Sequence, residues 1–108
     1  MTEREFQGAV MDAAKWLGWR CFHPRTVQTA AGAHLTAFSG DAGFPDLVLV
    51  HKYRGVIFAE LKAHKGRLTA EQREWRDHLI TAGAEYYVWR PQDWTKIVDR
   101  LATKEKTE

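Results

Sequence analysis

Thiols are almost absent from the sequence. A single cysteine, Cys21, can form no intramolecular disulfide, and with no second thiol or paired histidine near it the residue reads as a small packed side chain, not a zinc ligand. Long apolar runs are missing too: none approaches the roughly 20 residues needed to span a bilayer, so no membrane partner is expected. The N-terminal Met-Thr-Glu-Arg-Glu-Phe has neither the basic region nor the apolar core of an export signal, and the expectation is a cytoplasmic protein. Charge of one sign is also scarce. With 16 Lys and Arg against 14 Asp and Glu, the net charge of +2 is too small to argue for nucleic acid by itself. The basic residues are unevenly placed, however: Arg20, Arg25, Lys52, Arg54, Lys65, Arg67, Arg73 and Arg76 flank the middle of the chain. Internal repeats, low-complexity tracts and linkers do not occur.

What remains is a chain of 108 residues, 44% hydrophobic and 28% charged, the size and balance of one globular domain around one core. The domain is expected over residues 1–102, with the polar 103–108 as a disordered tail. Thr2 and Glu5 form a capping box, and Phe6, Val10, Ala13, Ala14 and Leu17 follow at helical spacing until Gly18, which predicts a helix over about residues 3–18. Trp19 to His23 reads as a short strand ended by Pro24. From Arg25 to Phe44 no period is sustained, and a loop of about 20 residues in so small a domain suggests function or mobility. Asp46–Val50 and Val56–Lys62 are apolar on both faces, as suits central strands covered on both sides, with His51–Gly55 as the turn. A second capping box, Thr69 with Gln72, opens a helix with Trp75, Leu79 and Ile80 inward and Gly83 at its stop. Glu85–Arg90 alternates as a strand, and Pro91 opens a last helix with Trp94, Ile97, Val98 and Leu101 inward. The tryptophans Trp16, Trp75, Trp89 and Trp94 are expected in the core. The fold class is α/β, in the order α-β-β-β-α-β-α.

Three charges interrupt the two apolar strands: Asp46, Glu60 and Lys62. With the turn centred on Tyr53, residues whose numbers sum to 106 face one another, so Asp46 stands opposite Glu60 at roughly 4.5 to 5.5 Å, and the period of two puts Lys62 on the same side. Two carboxylates opposed in a covered sheet repel and lose hydration, so the arrangement makes physical sense only with a cation between them. Oxygen donors without thiol select a hard ion, Mg²⁺ or Mn²⁺. Beside such an ion the Lys62 ammonium is placed to orient water or to neutralise a phosphorus centre under attack. The chemistry indicated is phosphodiester hydrolysis.

These residues carry a resemblance. Gly43-Phe-Pro-Asp46, thirteen residues, then Glu60-Leu-Lys62 resembles the signature of the PD-(D/E)XK nucleases, and the chain over roughly residues 2–102 is similar to the VRR-NUC branch of that superfamily, including small stand-alone members from phages. Glu3 and Gln7 in the first helix, Leu68-Thr-Ala-Glu-Gln72 and Tyr87-Val-Trp-Arg-Pro91 extend the match. The resemblance implies a restriction-endonuclease-like core, a mixed central sheet flanked by helices, and Mg²⁺- or Mn²⁺-dependent DNA cleavage. It also implies a homodimer able to act on branched DNA such as four-way junctions, in a bacterial or phage-infected cell.

On this footing Asp46 and Glu60 are the expected metal ligands, the Leu61 backbone carbonyl a further one, and Lys62 the catalytic cation. Glu3 and Gln72 are supporting site residues. Glu5 has its work in the capping box, whereas Glu3 shares the inward stripe of Phe6 and Val10; its other reading is a carboxylate favoured by the helix N-terminus. Gln72 faces competing demands from its cap and from the site. Arg25, Lys65 and Arg67 are candidate DNA contacts, with a solvated basic loop as the alternative for the latter two. The rival function is a non-catalytic DNA-binding or assembly module that retains the nuclease fold, which calorimetry with Mn²⁺ would distinguish.

Overall fold

A computed structural model describes residues 1–24, 26–28, 34–36 and 39–103, with the backbone alone for the two three-residue segments. Helix α1, Glu3–Trp16, starts where its capping box is made: Thr2 Oγ1 accepts from the Glu5 amide at 3.0 Å, and Glu5 Oε1 accepts from the Thr2 amide at 2.9 Å. Strand β1, Arg20–Phe22, follows, and then the short strands β2, Thr26–Gln28, and β3, His34–Thr36, pair antiparallel as a separate two-stranded sheet. The Arg25–Phe44 stretch, expected as a loop, therefore carries a hairpin of its own. Strands β4, Leu47–His51, and β5, Gly55–Leu61, are followed by α2, Ala70–Thr81, by β6, Glu85–Trp89, and by α3, Trp94–Ala102. Pro91–Asp93 forms a 3₁₀ turn, so Pro91 opens that turn and not the last helix.

The four-stranded sheet runs β1-β4-β5-β6 and is mixed: β5 is antiparallel to β4 and parallel to β6. Every β4–β5 pair from Leu47–Ala59 to His51–Gly55 sums to 106, so the register centres on Tyr53 as the sequence implied. Apart from the added hairpin, the order of elements is the expected one.

The period of two then divides the sheet. Leu47, Leu49, Ile57, Ala59, Leu61 and Trp89 point to one face, where Phe6, Val10 and Ala14 of α1 and Ile97 and Leu101 of α3 close over them in one buried cluster. Helix α2 packs along β6 and leaves much of the other face open: Val50 and Val56 are 41% and 43% exposed, so the central strands are not covered on both sides. Trp16 is 89% exposed because it lies two residues, about 200° of helical rotation, from Ala14 on the buried stripe. Ile80 and Trp94 are likewise exposed, while Trp89 is buried as expected. At the end of the sheet near the β4–β5 turn, Arg54 Nη1 donates to the carbonyls of Leu17 and Leu101, both at 2.8 Å, so a cation stands at the C-termini of α1 and α3 where the helix dipoles favour it. Among the described residues no helix is long and apolar enough to cross a membrane. Residues 104–108, expected as a tail, lie outside the described residues.

Candidate active site

The register brings Asp46, one residue before β4, beside Glu60, near the end of β5. Asp46 Oδ2 accepts the Leu61 amide at 2.8 Å, which ties the segment preceding β4 to the end of β5. Glu60 is the one buried charged residue of the described chain, at 1% exposure. Lys62 Nζ stands 3.7 Å from Glu60 Oε2, with its side chain only 12% exposed. Gln72 Nε2 donates to the same oxygen at 3.2 Å.

Gln72 meets both of its competing demands. Its Oε1 accepts from the Thr69 amide at 2.9 Å and its own amide donates to Thr69 Oγ1 at 3.1 Å, so the carbonyl end of the side chain caps α2 while the amino end reaches Glu60. A glutamine can do this because its two polar ends are separate groups. The cap thus fixes the distance between α2 and the carboxylate.

Burial pushes the Glu60 carboxyl up to about 9, reinforced by its hydrogen bond with Asp46 and by the Asp46 charge; Lys62 opposes the rise, and Glu3 adds to it. Glu3 is therefore near enough to Glu60 to affect its ionisation, although its own side chain is exposed in the first turn of α1. Burial, together with the Glu60 carboxylate, also pushes the Tyr86 phenol up to about 12.

Several residues frame the site without having been assigned a role of their own from the sequence. His23 donates from Nδ1 to the Asp46 carbonyl at 2.7 Å. Phe44 packs edge-on between Trp75 of α2, at 5.0 Å, and Phe58 of β5, at 6.1 Å, and so joins helix to sheet directly beside Asp46. Gly43 adopts φ +94°, and a Cβ there would come within 2.5 Å of the Glu71 backbone, so only glycine lets this segment lie against the first turn of α2. A separate hollow of about 480 Å³, lined by Asp41, Ala42, Glu71, Glu74, Trp75 and His78, lies beside α2 and contains none of the residues that meet at Glu60.

The family model of the VRR-NUC domain matches residues 24–93, the segment that holds Asp46, Glu60, Lys62 and Gln72. The chain belongs to the VRR-NUC family. A solved structure described as a VRR_NUC domain protein is similar over 99% of this chain and 98% of its own, with 21% identity and a TM-score of 0.63, a likeness of fold. No curated protein matches the sequence. The nuclease fold of the VRR-NUC chain therefore includes α1, although the family match begins at residue 24.

Lys65 and Arg67 lie exposed in the turn that follows Lys62. Arg25 falls outside the described residues. Among the described residues no group of three or more His, Cys, Asp or Glu side chains is assembled to hold a metal ion. Any ion at this VRR-NUC site would rest on two carboxylates completed by backbone oxygen and water, a donor set that suits a hard cation.

Proposed function

We propose that this protein is a Mg²⁺- or Mn²⁺-dependent deoxyribonuclease that hydrolyses phosphodiester bonds and selects branched DNA such as four-way junctions. One observation carries the reading: Glu60, almost wholly buried, lies against the Asp46 carboxylate with its own ionisation strongly opposed. A pair of carboxylates in that state is costly to ionise, and a divalent cation is the partner that makes it favourable. Asp46, Glu60 and the Leu61 carbonyl are the groups to hold it. The chemistry such an ion supplies when bound is charge stabilisation on a phosphodiester and a lowered pKa for a water.

The protein's own residues orient and stabilise. Gln72 and Lys62 both address Glu60 Oε2 and so fix the carboxylate's rotamer. Held by that contact and mostly shielded from water, the Lys62 ammonium offers positive charge to a non-bridging phosphate oxygen as the pentavalent centre forms. Glu3, in the first turn of α1, adds negative charge to the approach of a cation. A symmetric dimer offers two such sites to the two strands of a junction; sedimentation of the protein alone and on a junction checks it, and monomer throughout would remove that part of the proposal.

In the decisive experiment, wild type and Lys62→Ala are assayed on labelled single-strand, duplex, flap and four-way junction DNA, each with Mg²⁺, Mn²⁺ or EDTA. Wild type is expected to cleave only with a divalent ion and best on the junction, and Lys62→Ala to lose on the order of 10²- to 10³-fold. Undiminished cleavage by Lys62→Ala would refute the assignment of Lys62.

A further inference from the structure

The turn that follows Lys62 is held by side chains from α2 and from the segment that follows β6. Arg90, the residue after β6, donates from Nη1 to the Ala63 carbonyl at 3.0 Å and to the Gly66 carbonyl at 2.6 Å. Gln92 Nε2 donates to the His64 carbonyl at 3.3 Å, and Arg73 Nη1 of α2 to the Leu68 carbonyl at 2.9 Å. Arg90 is itself anchored, since its amide donates to Asp93 Oδ2 at 3.0 Å. The Lys62 amide donates to the Trp89 carbonyl at 3.0 Å, so the turn leaves the sheet directly beside the strand that carries Arg90. Gly66 folds back onto the Lys62 stem, where a Cβ would stand 3.4 Å from Lys62 Cδ.

Four carbonyls between Ala63 and Leu68 are thus engaged by donors, three of them by guanidinium groups. The turn's partial negative charges are offset, and the side chains it turns outward are His64, Lys65 and Arg67, all exposed. Among the described residues no acidic side chain forms an ion pair with Lys65 or Arg67. A cationic turn fixed in advance loses little conformational entropy on meeting a phosphate, whereas a free basic loop must be ordered first. The turn begins at Lys62, so a backbone bound along it passes the buried carboxylates.

We infer that the Ala63–Arg67 turn is a preformed binding element for the DNA phosphate backbone, and that Arg90 is the positioning residue that sets it relative to Lys62. The inference rests on the nuclease reading above and adds to it a residue that touches neither phosphate nor the reacting atoms. Its consequence is coupling: the contribution of Lys65 and Arg67 to DNA affinity depends on Arg90.

The test is a double-mutant cycle by fluorescence anisotropy on a labelled four-way junction in EDTA, over a series of salt concentrations, with thermal unfolding of each variant. Lys65→Ala/Arg67→Ala is expected to weaken binding about 10-fold or more and to lower the slope of log affinity against log salt by about 2, one for each lost phosphate contact. Arg90→Gln is expected to give a similar loss of affinity and slope, and the combined variant little more than either. Arg90→Lys keeps the charge but not the planar guanidinium whose Nη1 reaches both carbonyls, and is expected to recover only part of the loss, which also covers the case in which Arg90→Gln fails to fold. Wild-type affinity and slope in Arg90→Gln or Arg90→Lys, or fully additive losses in the combined variant, would overturn the inference and leave the nuclease reading standing. Failure of the wild type to bind DNA would overturn both.

Discussion

Asp46→Asn is expected to abolish DNA cleavage while making the metal-free protein more stable. In the native site the Asp46 carboxylate is one of the groups that keep the buried Glu60 from ionising. Asparagine has nearly the same shape, can still accept the Leu61 amide through its carbonyl oxygen, and offers an NH₂ group to an ionised Glu60. A contact that forms only when Glu60 holds a proton becomes a hydrogen bond that needs none. In EDTA near pH 8 the gain should be about 1–3 kcal/mol in chemical denaturation. Cleavage in Mn²⁺ should fall on the order of 10³-fold or more, because one of only two carboxylates is gone. Both signs are needed. If Asp46 served only to tie β4 to β5 through its hydrogen bond, the substitution would lower stability or leave it unchanged, and any Mn²⁺-dependent cleavage would survive.

That trade between stability and chemistry explains why the site was legible in sequence. Apolar strands make a charge conspicuous, and a five-residue turn has one centre, so counting about Tyr53 fixed which residues oppose one another; the ladder obeys that count from Leu47–Ala59 to His51–Gly55. The same count could not be made for β1. Its partner β4 lies more than twenty residues on, beyond the β2–β3 hairpin, so nothing in the chain fixes the register that pairs Phe22 with Val48 and brings His23 to the Asp46 carbonyl. Arg90 and Gln92 were hidden for a related reason. Their work is done on carbonyl oxygens, and a residue's backbone carries no sequence signature.

Helical faces were readable in principle at Trp16. Phe6, Val10 and Ala14 mark the buried stripe four residues apart, and position 16 lies nearly opposite it, so the size of the indole misled where the angle did not. At α2 the error is physical. This helix crosses a face that is only partly covered and buries none of its residues completely, so its apolar residues need not all point inward, and Ile80 does not. The aromatic bridge of Phe44 between Trp75 and Phe58 holds it in place where a continuous core would otherwise do so.

The acid–base state of Glu60 gives a second large effect, with a sign that distinguishes a metal site from a structural carboxyl. The usual value of 4.5 applies to the unfolded chain, and in the folded protein burial and Asp46 raise it to about 9. Between those values the folded state holds a proton that the unfolded state has lost, so the stability of the metal-free protein must fall as pH rises, by at most about 1.4 kcal/mol per pH unit. Below the lower value both states are protonated and above the upper value both are ionised, so the slope is confined to that window. Glu5, held low by the Thr2 amide, acts with the opposite sign and only on the acid side; His51, lowered by burial and by Arg54, does so below its usual 6.5. The interval from about pH 7 to 9 therefore belongs to Glu60 except near its upper end, where the Cys21 thiol, raised by burial from its usual 9.0, adds a decline of the same sign that Glu60→Gln leaves in place. Denaturation in EDTA across it should show declining stability, and Glu60→Gln should flatten the decline. A divalent ion competes with the proton for the same carboxylates, so Mn²⁺ should stabilise the protein more at pH 9 than at pH 7 and cancel much of the slope. A flat metal-free profile would mean that Glu60 is ionised without help, and an Mn²⁺ effect independent of pH would place the ion away from Glu60.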